Sequence, residues 1–101
     1  MTRRITREEA LNLNRLANEL KYESGIEWER FNYCQAYTSN LINNRYYLIK
    51  SYSTVVGIVD TFTNEIIELG KYSRTTSKQF SQIHNQVFRG YERILSPIAN
   101  W

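Results

Sequence analysis

A chain of 101 residues, 42% hydrophobic and 14% aromatic, matches the size of one domain over 1–101 and is too apolar for a disordered segment. No stretch approaches the roughly 20 apolar residues of a membrane helix, and the basic start, Met1 to Arg7, runs into Glu8 and Glu9 rather than an apolar leader. The net charge of +3 sits unevenly: residues 1 to 44 balance, the middle is slightly acidic, and Lys71, Arg74, Lys78, Arg89 and Arg93 face only Glu92 in the last third.

Thr6-Arg7-Glu8-Glu9 has the spacing of a capping box and predicts a helix start. Leu13, Leu16, Ala17 and Leu20 recur at helical intervals, with Ala10 near the same face, so an amphipathic helix is expected to run to about Tyr22, before Gly25. Residues 26 to 36 suit either a helical turn, through Trp28 and Phe31, or a strand, through Phe31 and Tyr33; a strand from about Arg30 is the preferred reading.

From Tyr37 to Leu69 the residues become β-branched and aromatic, broken by Asn43-Asn44, Ser51-Tyr52-Ser53 and Thr61-Phe62-Thr63-Asn64. Strands are predicted over Arg45 to Tyr52, Thr54 to Asp60 and Glu65 to Leu69, and a preceding strand over roughly 31 to 41 would make a fourth. Gly57, inside a valine and isoleucine run, marks close packing or a bulge, with packing preferred.

Thr75 or Thr76, the latter with Gln79 three residues on, can cap a second helix. Phe80, Ile83, Val87, Tyr91 and Ile94 share one side of it, with Phe88 and Leu95 at the margin. Lys78, Gln82, Asn85, Gln86, Arg89 and Arg93 fall opposite, and the helix is expected to continue to just before Pro97, with Gly90 a weak point. The expected fold class is α+β: an N-terminal helix, a three- to four-stranded antiparallel β-meander, and a long C-terminal amphipathic helix packed on the sheet.

Candidate chemistry is sparse. His84 has no nucleophile or orienting carboxylate placed by any motif, so it reads as a boundary-packing side chain. Cys34, the only cysteine, reads as a buried structural thiol; alone it makes neither an intramolecular disulfide nor a cysteine-based metal site, which fits a reducing compartment, with cytoplasm as the default. One histidine and one cysteine do not suit structural zinc. Glu27 and Glu29 flank Trp28 and share a strand face, which reads as a solvated edge rather than an acid/base dyad. No catalytic residue, metal or cofactor is expected.

The segment Ser73-Arg74-Thr75-Thr76-Ser77-Lys78 brings hydroxyls, amides and cations to a helix start, as an anion site needs. Without a glycine-rich cradle it is no P-loop, and a helix cap with basic neighbours uses the same residues. The expected partner or anion-binding surface comprises Lys71, Arg74, Thr75, Thr76, Ser77, Lys78, Arg89 and Arg93. Tyr46, Tyr52 or Tyr72 would add stacking if exposed, although tyrosines across a meander also serve core margins and protein interfaces.

The motifs "YYLIKSYSTVVGIVD" and "GKYSRTTSKQFSQI", from Tyr46 to Lys78 and just beyond, resemble a group of small, mostly uncharacterised, phage- and plasmid-encoded proteins of Gram-positive bacteria. The likeness covers a third to half of the chain and carries no catalytic residues to transfer. It implies a mobile-element accessory protein in the cytoplasm of a bacterial host, a setting that includes inhibitors of host defence such as anti-CRISPR proteins, which bind Cas effectors or their guide RNA. The expected function is therefore stoichiometric inhibition of a defence complex, a protein or ribonucleoprotein, through the basic C-terminal surface. A small nucleic-acid-binding regulator of a phage or plasmid is the alternative, and a hydrolase or nuclease is a third class. The charge sign argues against an acidic DNA mimic, and the oligomeric state stays open.

Overall fold

The computed structural model describes residues 5–31, 36–69 and 74–94, and of residues 74–77 the backbone alone. Thr6 opens helix α1 (Arg7–Leu20) through a complete capping box: its Oγ1 accepts from the Glu9 amide at 3.1 Å, and its own amide donates to the Glu9 carboxylate at 3.3 Å. Two amides that a helix start leaves without partners are thereby satisfied. The helix ends where the amides of Lys21, Tyr22 and Glu23 bond back to Ala17, Glu19 and Leu20. Gly25 then takes φ +85°, a conformation that glycine adopts without a Cβ clash.

Strands β1 (Trp28–Arg30), β2 (Ala36–Ser39), β3 (Tyr46–Ser51), β4 (Thr54–Asp60), β5 (Glu65–Glu68) and β6 (Glu92–Ile94) form one sheet whose spatial order follows the chain. The first five pair antiparallel through short connections, whereas β6 lies parallel to β5. A parallel neighbour requires a crossover, and helix α2 (Arg74–Gln86) provides it. Between β2 and β3, Asn43 and Asn44 both take positive φ, 54° and 56°. Asparagine tolerates this left-handed region, as tight hairpin turns need.

Each face of the sheet carries one helix. On one face Ala10, Ala17 and Leu20 of α1 cluster with Leu48, Ile58, Ile67 and Ile94; on the other Phe80 and Ile83 of α2 cluster with Ile49, Val56, Val59 and Ile66. Covering on both sides explains the nearly unbroken apolar run of β4, whose residues from Val55 to Asp60 are all buried. A bulge interrupts β4, since Ile49 pairs with Gly57 but Lys50 pairs with Val55. It turns Val56 and the Gly57 position towards α2, where a Cβ on Gly57 would overlap the Phe80 ring. Close packing and a bulge thus coincide at this glycine.

Two fold expectations are corrected. The C-terminal helix is not long: α2 stops at Gln86, a turn follows, and residues 92–94 are strand β6. Tyr91 and Ile94 fit a helical stripe, but a short apolar run fits either period. Here the open edge of β5 offers backbone partners, and Ile94 reaches the α1-side cluster beside Ile58 and Ile67, which a helix on the opposite face could not. The sheet is also not a three- to four-stranded antiparallel meander but six-stranded and mixed. Within the strand expected over 31–41, residues 36–39 form β2, and the added strand β1 precedes that range and pairs with it. The expected helix end before Pro97 and the marginal Leu95 lie outside the described residues. Among the described residues no helix is long and apolar enough to cross a membrane.

Candidate protein-binding groove

Among the described residues, the α2-side face of the sheet is not covered to its β1 edge. Tyr47 projects from β3 onto this face, Phe88 turns inward just after α2, and Tyr91 follows. The Tyr47 and Phe88 ring centroids lie 5.4 Å apart and those of Phe88 and Tyr91 5.5 Å apart, both pairs tilted, an arrangement that aromatic quadrupoles favour. Beside these rings a groove of about 490 Å³ is lined by Glu29, Thr38, Ser39, Asn40, Leu41, Tyr47, Val87, Phe88 and Tyr91. Leu41 and Val87 are exposed, at 41% and 50%. The mix of apolar walls with a carboxylate, a hydroxyl and an amide suits recognition of a polypeptide.

The groove walls are held locally. Asn40 accepts from the Glu27 amide at 2.9 Å and donates to the Gly25 carbonyl at 3.1 Å, and its own amide bonds the Glu27 carbonyl at 3.0 Å. Ser39 Oγ accepts from the Leu48 amide at 2.8 Å and donates to the Asn40 carbonyl at 2.9 Å. On the opposite wall His84 Nε2 lies 2.7 Å from the Tyr91 carbonyl. A carbonyl only accepts, so that ring nitrogen carries the proton, and the bond closes the turn after α2.

The expected basic surface does not form one helix stripe. Lys78 is exposed on α2 and Arg89 is exposed in the following turn. Arg93, on β6, faces inward instead: Nη1 donates to Ser81 Oγ at 2.8 Å, Nη2 lies 3.4 Å from Glu68 Oε2, and Cζ is 5.1 Å from the Phe80 ring centre. Arg74, Thr75, Thr76 and Ser77 form the first turn of α2, but their side chains lie outside the described residues, as do Lys71, Tyr72, Ser73 and Cys34. Tyr46 is partly buried beneath Arg45, 5.0 Å from its Cζ, whereas Tyr52 is 61% exposed. Among the described residues no cluster of three or more His, Cys, Asp or Glu side chains could hold a metal ion.

A second charged arrangement sits at the far end of β3 and β4. Arg45 grips Asp60 with two hydrogen bonds, of 3.0 and 2.8 Å, and its guanidinium lies 4.8 Å from the Phe62 ring centre. Asp60 also accepts from the Phe62 amide at 2.9 Å. Burial pushes the Asp60 carboxyl pKa up, but the Arg45 hydrogen bonds and charge and the Phe62 and Thr63 amides outweigh it and hold the group below its ordinary value. The hydrogen bond to Asp60 is the main reason the Arg45 pKa is raised. This pair ties the start of β3 to the end of β4.

Sequence reasoning missed the groove because its walls come from β1, the β2 end, β3 and the turn after α2. Val87 fell on the apparent buried stripe, yet the helix ends one residue before it. The exchange of roles between exposed Val87 and buried Phe88 was foreshadowed only by Gly90, which weakens a helix there. No family model matches the chain, and no curated protein and no solved structure matches it either.

Proposed function

We propose that this chain is a non-enzymatic accessory protein of a phage or plasmid that binds a defence complex of its bacterial host in the cytoplasm and inhibits it stoichiometrically, in the manner of an anti-CRISPR protein. The observation that carries the binding reading is the groove itself, in which exposed Leu41 and Val87 flank ordered aromatic rings on a sheet covered by helices elsewhere. Exposed aliphatic side chains beside partly buried tyrosine rings, with a polar rim, suit a protein surface better than a phosphate backbone. The likeness of the Tyr46 to Lys78 segment to mobile-element proteins supplies the biological setting. Lys78 and Arg89 remain available as contacts to an acidic or ribonucleoprotein surface, whereas Arg93 is engaged within the fold.

The test is phage plaque formation on bacteria that carry a defined CRISPR defence, with and without the chain, together with co-purification of the effector. Inhibition with one-to-one co-purification is the expected result. Leu41→Asp with Val87→Asp abolishes both while the far-ultraviolet circular dichroism is unchanged. Unaltered plaque counts and no effector retention count against the reading. Direct binding to RNA or DNA that falls steeply with salt and ignores the two aspartates favours a nucleic-acid regulator instead.

A further inference from the structure

We infer that the β1 edge accepts an extended segment of the partner as a seventh strand, and that this segment is basic at alternate positions, Lys/Arg-X-Lys/Arg. The inference rests on the reading of this face as a protein-binding surface and specifies the chemistry of its partner. Among the described strands β1 is an outer one, with β2 on one side only. The hydrogen bonds fix which of its backbone groups point inward. Phe31 donates to the Ala36 carbonyl at 2.7 Å and the Glu27 carbonyl accepts from Asn40 at 3.0 Å, so Phe31, Glu29 and Glu27 face β2. In an antiparallel ladder the residues between them face away, which directs both the N–H and the C=O of Trp28 outward. One residue of an incoming antiparallel strand can exchange two hydrogen bonds with Trp28.

The side chains decide what that strand carries. Glu27 and Glu29, two residues apart, project on the same face, and Glu29 pairs with Thr38 on the groove side. Both glutamates are exposed and line a small hollow of about 150 Å³ beside Trp28, Ser39 and Asn40. A strand whose residue X lies opposite Trp28 places its two neighbours opposite Glu27 and Glu29. Opposite charges across a strand pair stabilise it and like charges oppose it. On the other face X meets the Trp28 ring, which is held by Lys50 Nζ at 4.2 Å, so X is a β-branched or aromatic residue. A second copy of the chain is the wrong occupant: pairing Trp28 with Trp28 sets Glu27 against Glu29 in both directions.

The experiment titrates the 15N-labelled chain with a capped heptapeptide, Thr-Val-Lys-Val-Lys-Val-Thr, and with its counterpart carrying glutamate at both lysine positions. The expected result is a shift and slowed hydrogen exchange of the Trp28 amide with the lysine peptide, and at least tenfold weaker binding of the glutamate peptide. In the Glu27→Lys/Glu29→Lys chain that preference inverts. A Trp28 amide unmoved by the lysine peptide, or equal binding of both peptides, overturns the inference and leaves the glutamates as guards against edge pairing. If that happens while defence inhibition still depends on Leu41 and Val87, strand pairing alone has failed. If the peptide pairs but no inhibition is found, the edge stands and the proposed function falls.

Discussion

Arg93 Nη2 lies 3.4 Å from Glu68 Oε2, so a cation that the sequence assigns to an exposed helix face instead fastens the last strand to its neighbour. Among the described residues the buried Arg93 Nε has no hydrogen-bond partner, which limits the net gain, but Ser81 Oγ and the Phe80 ring also contact the guanidinium. Arg93→Met is expected to lower the unfolding free energy by about 1–2 kcal/mol, because it leaves the Glu68 carboxylate without this partner. Urea denaturation of Arg93→Met, Glu68→Gln and the double variant checks this, the double costing less than the sum of the singles. Lys78→Glu and Arg89→Glu, at exposed positions, are expected to stay within about 0.5 kcal/mol of the parent.

Gly57 has no room for a methyl group. The Cβ of an alanine would overlap the Phe80 ring and lie 3.3 Å from the Ile67 carbonyl oxygen. Gly57→Ala is expected to destabilise by about 1–3 kcal/mol through overpacking. Shortening the obstacle should recover part of this, so Gly57→Ala/Phe80→Leu is expected to unfold at a higher urea midpoint than additivity of the single variants gives.

Acid sensitivity is expected from Asp60. Its carboxyl titrates lower in the folded chain than its ordinary value, so the folded state favours the ionised form. The resulting stabilisation is fully present above the unfolded value of about 3.9 and is lost as the pH falls through the folded value. Urea midpoints measured from pH 6 down to pH 3 should therefore converge for the parent and Asp60→Asn. A difference that stays constant over this range would show that the ion pair contributes nothing pH-dependent.

Tyr52 takes φ 55° in the connection between β3 and β4, with its side chain 61% exposed. A bulky residue is strained in that region and its ring gains little from burial. Tyr52→Gly is expected to stabilise by roughly 0.5–1 kcal/mol, the relief of strain being partly offset by the greater freedom of glycine when unfolded. Thermal unfolding would register this as a higher midpoint.

Locally encoded features were legible in the sequence. Thr6 and Glu9 are three residues apart and announce α1, and the strands around Tyr46, Val55 and Ile66 announce themselves through β-branched residues between turn signals. What escaped was non-local. β6 exists because β5 offers an edge, and the helical spacing of Val87, Tyr91 and Ile94 cannot report that edge. The β1 strand is three residues long, too short for its alternation to outweigh the helical spacing of Trp28 and Phe31. The groove joins residues 29, 38–41, 47 and 87–91, which only the sheet order brings together.

Because the strands lie in space in the order they occur in the chain, the sheet can assemble progressively during synthesis, each hairpin adding to the one before. The last step breaks that pattern. Residues 65–68 have translated long before their second neighbour, since β6 must await α2 and is complete only at Ile94. Until β6 docks, the apolar strand around Ile66 and Ile67 presents unpaired backbone groups on that side. An intermediate that lacks β6 is therefore the form of the chain most open to pairing with another copy.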